Sequence, residues 1–506
     1  MTLGFVLLAS VTGCDLGPDY ARPAAELPPA WRAGDAAAVA AWPASDWWRG
    51  FRSPELDGLI EQARAQNFDI AAAIARVREA DAQVRIAGAP LLPTVAVTGT
   101  DTYQRSGNGG RSGQFSAAPN GITGFSTGGG GSRYSDFRRY TANTNVSYET
   151  DFWGRNIAHF QAAKASAVFS RWDQEVVALT IVTNVATTWF TALDLQDRLD
   201  IAEQNLANSE QTLTVIQARL DVGTGTALDV AQQEALVAGQ RANIPALRNQ
   251  LEQEVIGLGI LAGRPPEAIT VRPGTLTDLA LPPVYPGLPS ELLLRRPDVA
   301  EAEAQLVTTT ADIRTARAAF FPNIQLTGSA GYSSLMLNTL FGPGATVLSV
   351  AGSLTQPIFD AGILRGNLEL ARGRYAELLA NYRKAILQSF TDVENALTAL
   401  RYTAEQLVLE QQAVDVAQRA ADIARAQVAA GTVDVTTVLT AEITLFSDRD
   451  ILAQVRLAHF QALLNLYKAL GGGWTQPGGP IPGQFPGLSH GLVGGGIALP
   501  VEGDLK

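Results

Sequence analysis

Hydrophobic and polar positions along this chain follow two periods, and each period appears twice in the same order. Small and polar residues alternate with apolar ones over 94–103, 140–151, 323–332 and 347–356. That two-residue rhythm predicts four strands of about ten residues, the length of a tilted membrane β-strand. After each strand pair the rhythm turns helical, over 155–222 and 363–430. In the second of these, Leu379, Ile386, Val393, Leu400, Leu407, Val414, Ala421 and Val428 recur at every seventh position, a sustained coiled-coil seam. A Gly-Thr break ends each long helix and a shorter helix follows, over 227–262 and 434–470. A further helix precedes each strand pair; in the first copy it covers 53–88, with Ser53 as N-cap, Pro54 in the first turn, and Pro90 and Pro93 closing it.

The order reflects an internal duplication. LLPTVAVTGT (91–100) matches FFPNIQLTGS (320–329), and RLDVGTGTALDVAQQE (219–234) matches QVAAGTVDVTTVLTAE (427–442). The second match sets Gly223, Thr224, Val230 and Glu234 on Gly431, Thr432, Val438 and Glu442. The domains are then a signal segment (1–13), an extended N-terminal arm (14–52), repeat 1 (53–289, with a Pro-rich belt over 263–289), repeat 2 (290–470) and a Gly/Pro-rich tail (471–506). The STGGGGS loop within 105–132 lacks the Lys-Ser/Thr of a phosphate loop and reads as surface.

Four amphipathic strands cannot close a barrel, and an open edge cannot face lipid, because its backbone groups would go unpaired. Three copies would supply twelve strands, within the range of membrane barrels, and their helices would extend the wall. The expected fold class is therefore an α+β membrane protein. Its expected form is a trimeric twelve-stranded membrane β-barrel, four strands per chain, continued by a long α-helical coiled-coil barrel. A lipid-anchored periplasmic coiled-coil scaffold is the alternative from a different class.

Charge and chemistry narrow this further. The net charge of −11, with no basic cluster, argues against nucleic acid. No catalytic site is expected: His159, His459 and His490 are scattered, and the carboxylates sit on helix faces beside Arg or Gln. No cofactor or metal is expected either. Cys14 is the sole cysteine, so no intrachain disulfide can form. It follows the short apolar run MTLGFVLLASVTG, a context similar to a bacterial lipoprotein signal, which makes Cys14 the expected lipid anchor. Asp15 is a residue that in some bacteria favours inner-membrane retention.

Longer motifs carry a family resemblance. WWRGFRSPELDGLIEQARAQNFDIAAAIARVREADAQ (47–83), RRPDVAEAEAQLVTTTADIRTARAAFFPNIQLTG (295–328), GPDY (17–20), DFWGR (151–155) and NLYKALGGGW (465–474) resemble the outer membrane factor (TolC-like) family, in its NodT/OprM-type efflux lipoprotein branch. The resemblance covers about 14–474. It implies a homotrimer in outer-membrane lipid, working with a periplasmic membrane fusion (adaptor) protein and an inner-membrane RND-type pump. The implied function is the exit channel for drugs or other small solutes, with the duct of a type I protein secretion system as the alternative. Barrel insertion would override the Asp15 signal.

Adaptor contact is expected at the helix-tip turns, Gly223, Thr224, Gly225, Gly431 and Thr432. In this family the helix after the second break lines the periplasmic aperture, and relatives often carry an Asp there with an Arg three residues on. Thr440 and Ile443 stand at those positions here. The resemblance therefore implies an aperture of Thr436, Thr440 and Ile443 without that charged lock, with Asp434 or Glu442 supplying negative charge.

Overall fold

The computed structural model describes residues 17, 19–24, 27–32, 43–107, 134–284 and 286–473. Elements run in the order α1 (Pro54–Gln66), α2 (Phe68–Gly88), β1 (Thr94–Gly107), β2 (Tyr134–Thr150), α3 (Arg155–Asp221), α4 (Ala227–Ala262), α5 (Pro289–Leu292), α6 (Pro297–Ala318), β3 (Asn323–Ser334), β4 (Thr346–Thr355), α7 (Ile363–Ala429) and α8 (Val435–Ala469). The chain forms two compact units. The strands belong to the one built on 83–162 and 311–372; most of the helical residues belong to the one built on 19–82, 163–310 and 373 onward.

In the strand unit, β1 to β4 form one antiparallel sheet in sequence order. The register sorts the side chains cleanly. Val95, Val97, Val146, Tyr148, Leu326, Leu348, Val350 and Leu354 share one face. Thr98, Thr100, Asn143, Asn145, Thr327, Ser329, Ser349 and Ser353 share the other. The apolar face is open in the chain: Val350 is 83% exposed, Val97 79% and Leu348 76%. Among the described residues no strand pairs with the outer edge of β1 or of β4.

The first strands run past the expected ends of about ten residues, to 14 in β1 and 17 in β2. Apolar alternation fades after Tyr103, but cross-strand polar pairing continues the ladder. Arg138 is ion-paired to Asp101 and its guanidinium lies 5.2 Å from the Tyr140 ring centre. Beneath the strands, Trp153 stacks on Phe321 at 4.8 Å and donates Nε1–H to the Pro322 carbonyl.

In the helical unit, α3 and α7 have 67 residues each, on the order of 100 Å at 1.5 Å per residue. One window of α3 is apolar enough by length and composition to cross a membrane, but half of it is buried within the fold. The heptad seam of α7 is where the sequence puts it: Ile386, Val393, Ala421 and Val428 are buried and the other four half-buried. The helix carries a second seven-residue stripe. Tyr402, Leu409, Val416 and Ile423 lie two positions on, about 200° round the helix, and are 56–58% exposed. With apolar stripes on opposite sides, α7 has the make-up of a stave with a neighbour on each side.

The helix before each strand pair corrects the reading of 53–88 as one element. Ser53 caps α1 as expected, accepting from the Leu56 N–H, but the chain breaks at Asn67. Asn67 is extended (φ −66°, ψ 131°) and starts α2 by accepting from the Asp69 and Ile70 N–H groups. Its amide also donates to the Leu261 carbonyl at the end of α4.

The second copy repeats this joint with different chemistry. Arg296, the equivalent of Asn67 when the two LLP/FFP segments are aligned, separates α5 from α6 and donates to the carbonyls of Ser389 and Ala469, the latter at the end of α8. Asp298 and Asp392 hold the same guanidinium. In both copies a left-handed glycine follows the returning helix and packs on the residue before the break: Gly263 (φ 68°) on the Gln66 carbonyl, Gly471 (φ 88°) on that of Arg295. A Cβ would collide at either place, so only glycine fits.

Candidate functional site: helix tips and the open face of α8

Both tips close by the same backbone device. Gly223 (φ 76°) and Gly431 (φ 74°) adopt the left-handed conformation. Gly223 N–H donates to Leu220 and Thr224 N–H to Arg219; Gly431 donates to Val428 and Thr432 to Gln427. These are paired Schellman motifs, which satisfy the last carbonyls of α3 and α7. Each threonine hydroxyl adds a bond to the same carbonyl as its N–H, at 3.2 and 3.0 Å. Gly225 N–H also donates to Arg219. All five tip residues expected from the sequence are thus brought to the two turns.

The next helices begin differently. Thr226 caps α4 through a reciprocal box with Asp229. Asp434 occupies the matching position before α8 but makes no side-chain cap bond and is exposed. From there Thr436, Thr440 and Ile443 follow on one open face of α8, Ile443 being 55% exposed. Thr440 donates its hydroxyl to the Thr436 carbonyl, and Thr444 donates to that of Thr440. Donation along the helix leaves this face with methyls, acceptor oxygens and one isoleucine, and no charged group over 436–447.

Glu442 is a correction. Expected as negative charge at the mouth, it is fully buried. Its position explains this: Val438, Glu442 and Leu445 share one side of α8, all buried. Oε1 accepts from Thr212 Oγ1 on α3 (2.7 Å) and from Arg425 Nε on α7 (2.8 Å). Oε2 accepts from Gln233 Nε2 on α4 at 3.5 Å, and the same amide donates to the Ser209 carbonyl. One carboxylate therefore ties four helices together. Its repeat equivalent, Glu234, is exposed.

Around this network Ile216, Val230, Ala424, Val428, Val435 and Val438 form an apolar cluster. Arg219 reaches across to the Val428 carbonyl and back to that of Thr224. A groove of about 250 Å³ opens beside Thr212, Val215, Arg425 and Ala429. Further along, burial and the nearby Arg425 hold the Arg449 guanidinium below its usual range. Arg449 joins Asn205 to Gln418.

Among the described residues no group of His, Cys, Asp and Glu is placed to hold a metal. His459 is a packed core residue facing the Thr403 hydroxyl at 2.9 Å, and burial lowers its pKa. Cys14, the expected lipid anchor, lies outside the described residues.

A family model described as outer membrane efflux protein matches residues 59–264 and 288–472. The chain belongs to the outer membrane efflux protein family. It is 39% identical over 430 residues to the pyoverdine export outer membrane protein OpmQ of Pseudomonas aeruginosa, covering 85% of this chain and 87% of that one. It is 31% identical over 477 residues to the cation efflux system protein CusC of Escherichia coli K12, covering 93% and 99%. The open-state MtrE outer membrane channel of Neisseria gonorrhoeae superposes with a TM-score of 0.79 at 28% identity, covering 91% of this chain and 98% of that one.

The fold class is therefore that of a trimeric outer-membrane channel, with four strands per chain toward a twelve-stranded barrel and long helices toward a helical one. As a member of this efflux family the protein is an outer-membrane exit duct of a tripartite pump, reaching into the periplasm. The family is one of transport ducts. The two faces of the sheet fit that placement: apolar toward lipid, hydroxyl and amide toward an aqueous lumen.

Proposed function

We propose that the duct carries small solutes handed on by an inner-membrane RND-type pump through a periplasmic adaptor, with the adaptor seated on the turns at Gly223–Gly225 and Gly431–Thr432. The open face of α8 carries this reading. Thr436, Thr440 and Ile443 form an uncharged stripe just past the exposed Asp434, on a helix whose other side is locked by Glu442. Repeated around a threefold axis, such a stripe makes an aperture that is closed by packing and controls ion passage by dewetting rather than by an ion pair. The relatives named for pyoverdine export and for cation efflux favour solutes over polypeptides. Adaptor docking would open the aperture by favouring one of two helix arrangements. Acylation at Cys14 adds a tether to the inner leaflet of the outer membrane.

Conductance of purified trimers in planar bilayers tests the aperture. Ile443→Ser should raise open probability, and Thr440→Ala should change it less, since the hydroxyl already serves its own helix. Unchanged open probability in both variants would remove this face from the gate.

A further inference from the structure

The two hairpins of the sheet differ in charge. The first carries Asp101, Arg105, Asp136, Arg138, Arg139 and Glu149 on its strands, whereas the second has no Asp, Glu, Lys or Arg anywhere between Arg317 and Asp360. Its loop goes further. Leu335, Met336 and Leu337 are each 62% exposed and Phe341 is 72% exposed. Four large apolar side chains in so short a loop are an unfavourable surface for water and mark contact with an apolar partner.

The loop is built to present them. Around a single helical turn, Leu337–Thr339, Ser334 Oγ accepts from the Met336 N–H and shares a hydrogen bond with Thr339 Oγ1 at 2.7 Å. Thr339 donates both its N–H and its hydroxyl to the Met336 carbonyl. Leu340 N–H donates to Leu337, Gly342 to Thr339, Ala345 to Gly342 and Ser333 to Ala345. Bonds made inside the loop lower the cost of taking its backbone out of water.

Register decides which way the loop leans. Tyr332 pairs with Ala142 and Thr346, which puts it on the face of Leu326, Leu348 and Val350, the lipid side. Phe341 meets Tyr332 edge-on at 5.4 Å. The exposed loop residues therefore continue the apolar face of the sheet rather than the hydroxyl face. We propose that the β3–β4 loop inserts Leu335, Met336, Leu337 and Phe341 among acyl chains at the rim of the outer leaflet, held on that side by the Phe341–Tyr332 contact. With the helices in the periplasm, this loop stands at the opposite end of the strands. The first hairpin cannot follow it into lipid, because Asp101 and Arg138 lie on the same face beside Tyr140 and would carry charge in with them.

Spin-label collision measurements on the full chain, in liposomes of phosphatidylcholine and phosphatidylglycerol, test this. Cys14→Ser removes the natural thiol, and one label is then placed through Leu337→Cys, through Val350→Cys on the lipid side, or through Ser349→Cys on the lumen side. Oxygen concentrates among acyl chains and a nickel chelate in water, so their collision ratio reads depth. The oxygen-to-nickel ratio at 337 should match that at 350 and exceed that at 349 severalfold. A ratio at 337 no higher than at 349 would place the loop in water and overturn the proposal. Dipolar broadening of the 337 spectrum would mean that the three loops meet at the axis, which also overturns it. A low ratio at 350 as well would sink the lipid-face reading on which the proposal rests. With the label at 337, Phe341→Ala should lower the ratio severalfold; an unchanged ratio would show that the contact with Tyr332 does not hold the loop in lipid.

Discussion

The two helix tips share a backbone and differ in what stands behind it. At Gly223 and Gly431 the same two main-chain hydrogen bonds close the same Schellman turn. Behind the first tip, Thr226 and Asp229 complete a capping box, and Glu234 points to solvent. Behind the second, Asp434 makes no side-chain cap bond and Glu442 is drawn into a network of Thr212, Gln233 and Arg425. The first tip is stiffened locally, by its own cap. The second is held from a distance, by a carboxylate two turns up the helix. A helix whose first turn is loose but whose second is pinned can change its tip without losing its packing, which is what an aperture requires.

The sharpest way to break this contrast is to remove the two equivalent glutamates. Glu442→Ala would leave Arg425, three-quarters buried, with only the more exposed Asp422 as partner, at a cost of about 2 kcal/mol. Glu234→Ala should cost less than about 0.5 kcal/mol. Hydrogen exchange along α8 and thermal melting would report the difference; equal costs would show that Glu442 is no brace.

The glycines should behave alike. Gly223→Ala and Gly431→Ala each force a side chain into the left-handed region and should lose about 1–2 kcal/mol. A large inequality in exchange at the two turns would mean that the shared backbone is not an equal constraint.

Caps come last. Thr226→Ala should cost about 1 kcal/mol, seen as faster exchange in the first turn of α4. Asp434→Ala should cost less than about 0.5 kcal/mol, since no cap bond is lost.

Much of this architecture was legible in the sequence, because periodicity reports on faces. The four strands, the α7 seam and the Gly-Thr turns follow from spacing alone. What escaped depended on partners distant in the chain. Glu234 and Glu442 occupy the same place in one repeated motif, and only the arrival of Arg425 and Thr212 buries the second. The position of Glu442 between Val438 and Leu445 was the available sign. The break at Asn67 was readable as an N-cap ahead of Asp69, but its likeness to Arg296 was hidden, since an amide and a guanidinium do the same task at the two joints. The ends of β1 and β2 extend on cross-strand polar pairs such as Asp101 and Arg138, which alternation of apolar residues does not reveal. The exposed stripe from Tyr402 to Ile423 has the same seven-residue spacing as the buried seam and is legible in the sequence.

The central claim is a water-filled duct built from three copies of this chain, and single-channel recording in planar bilayers tests it most directly. Purified full-length protein should migrate as a heat-sensitive trimer and give discrete conductance steps, with Ile443→Ser raising open probability. A monomer that leaves the bilayer electrically silent would contradict the account.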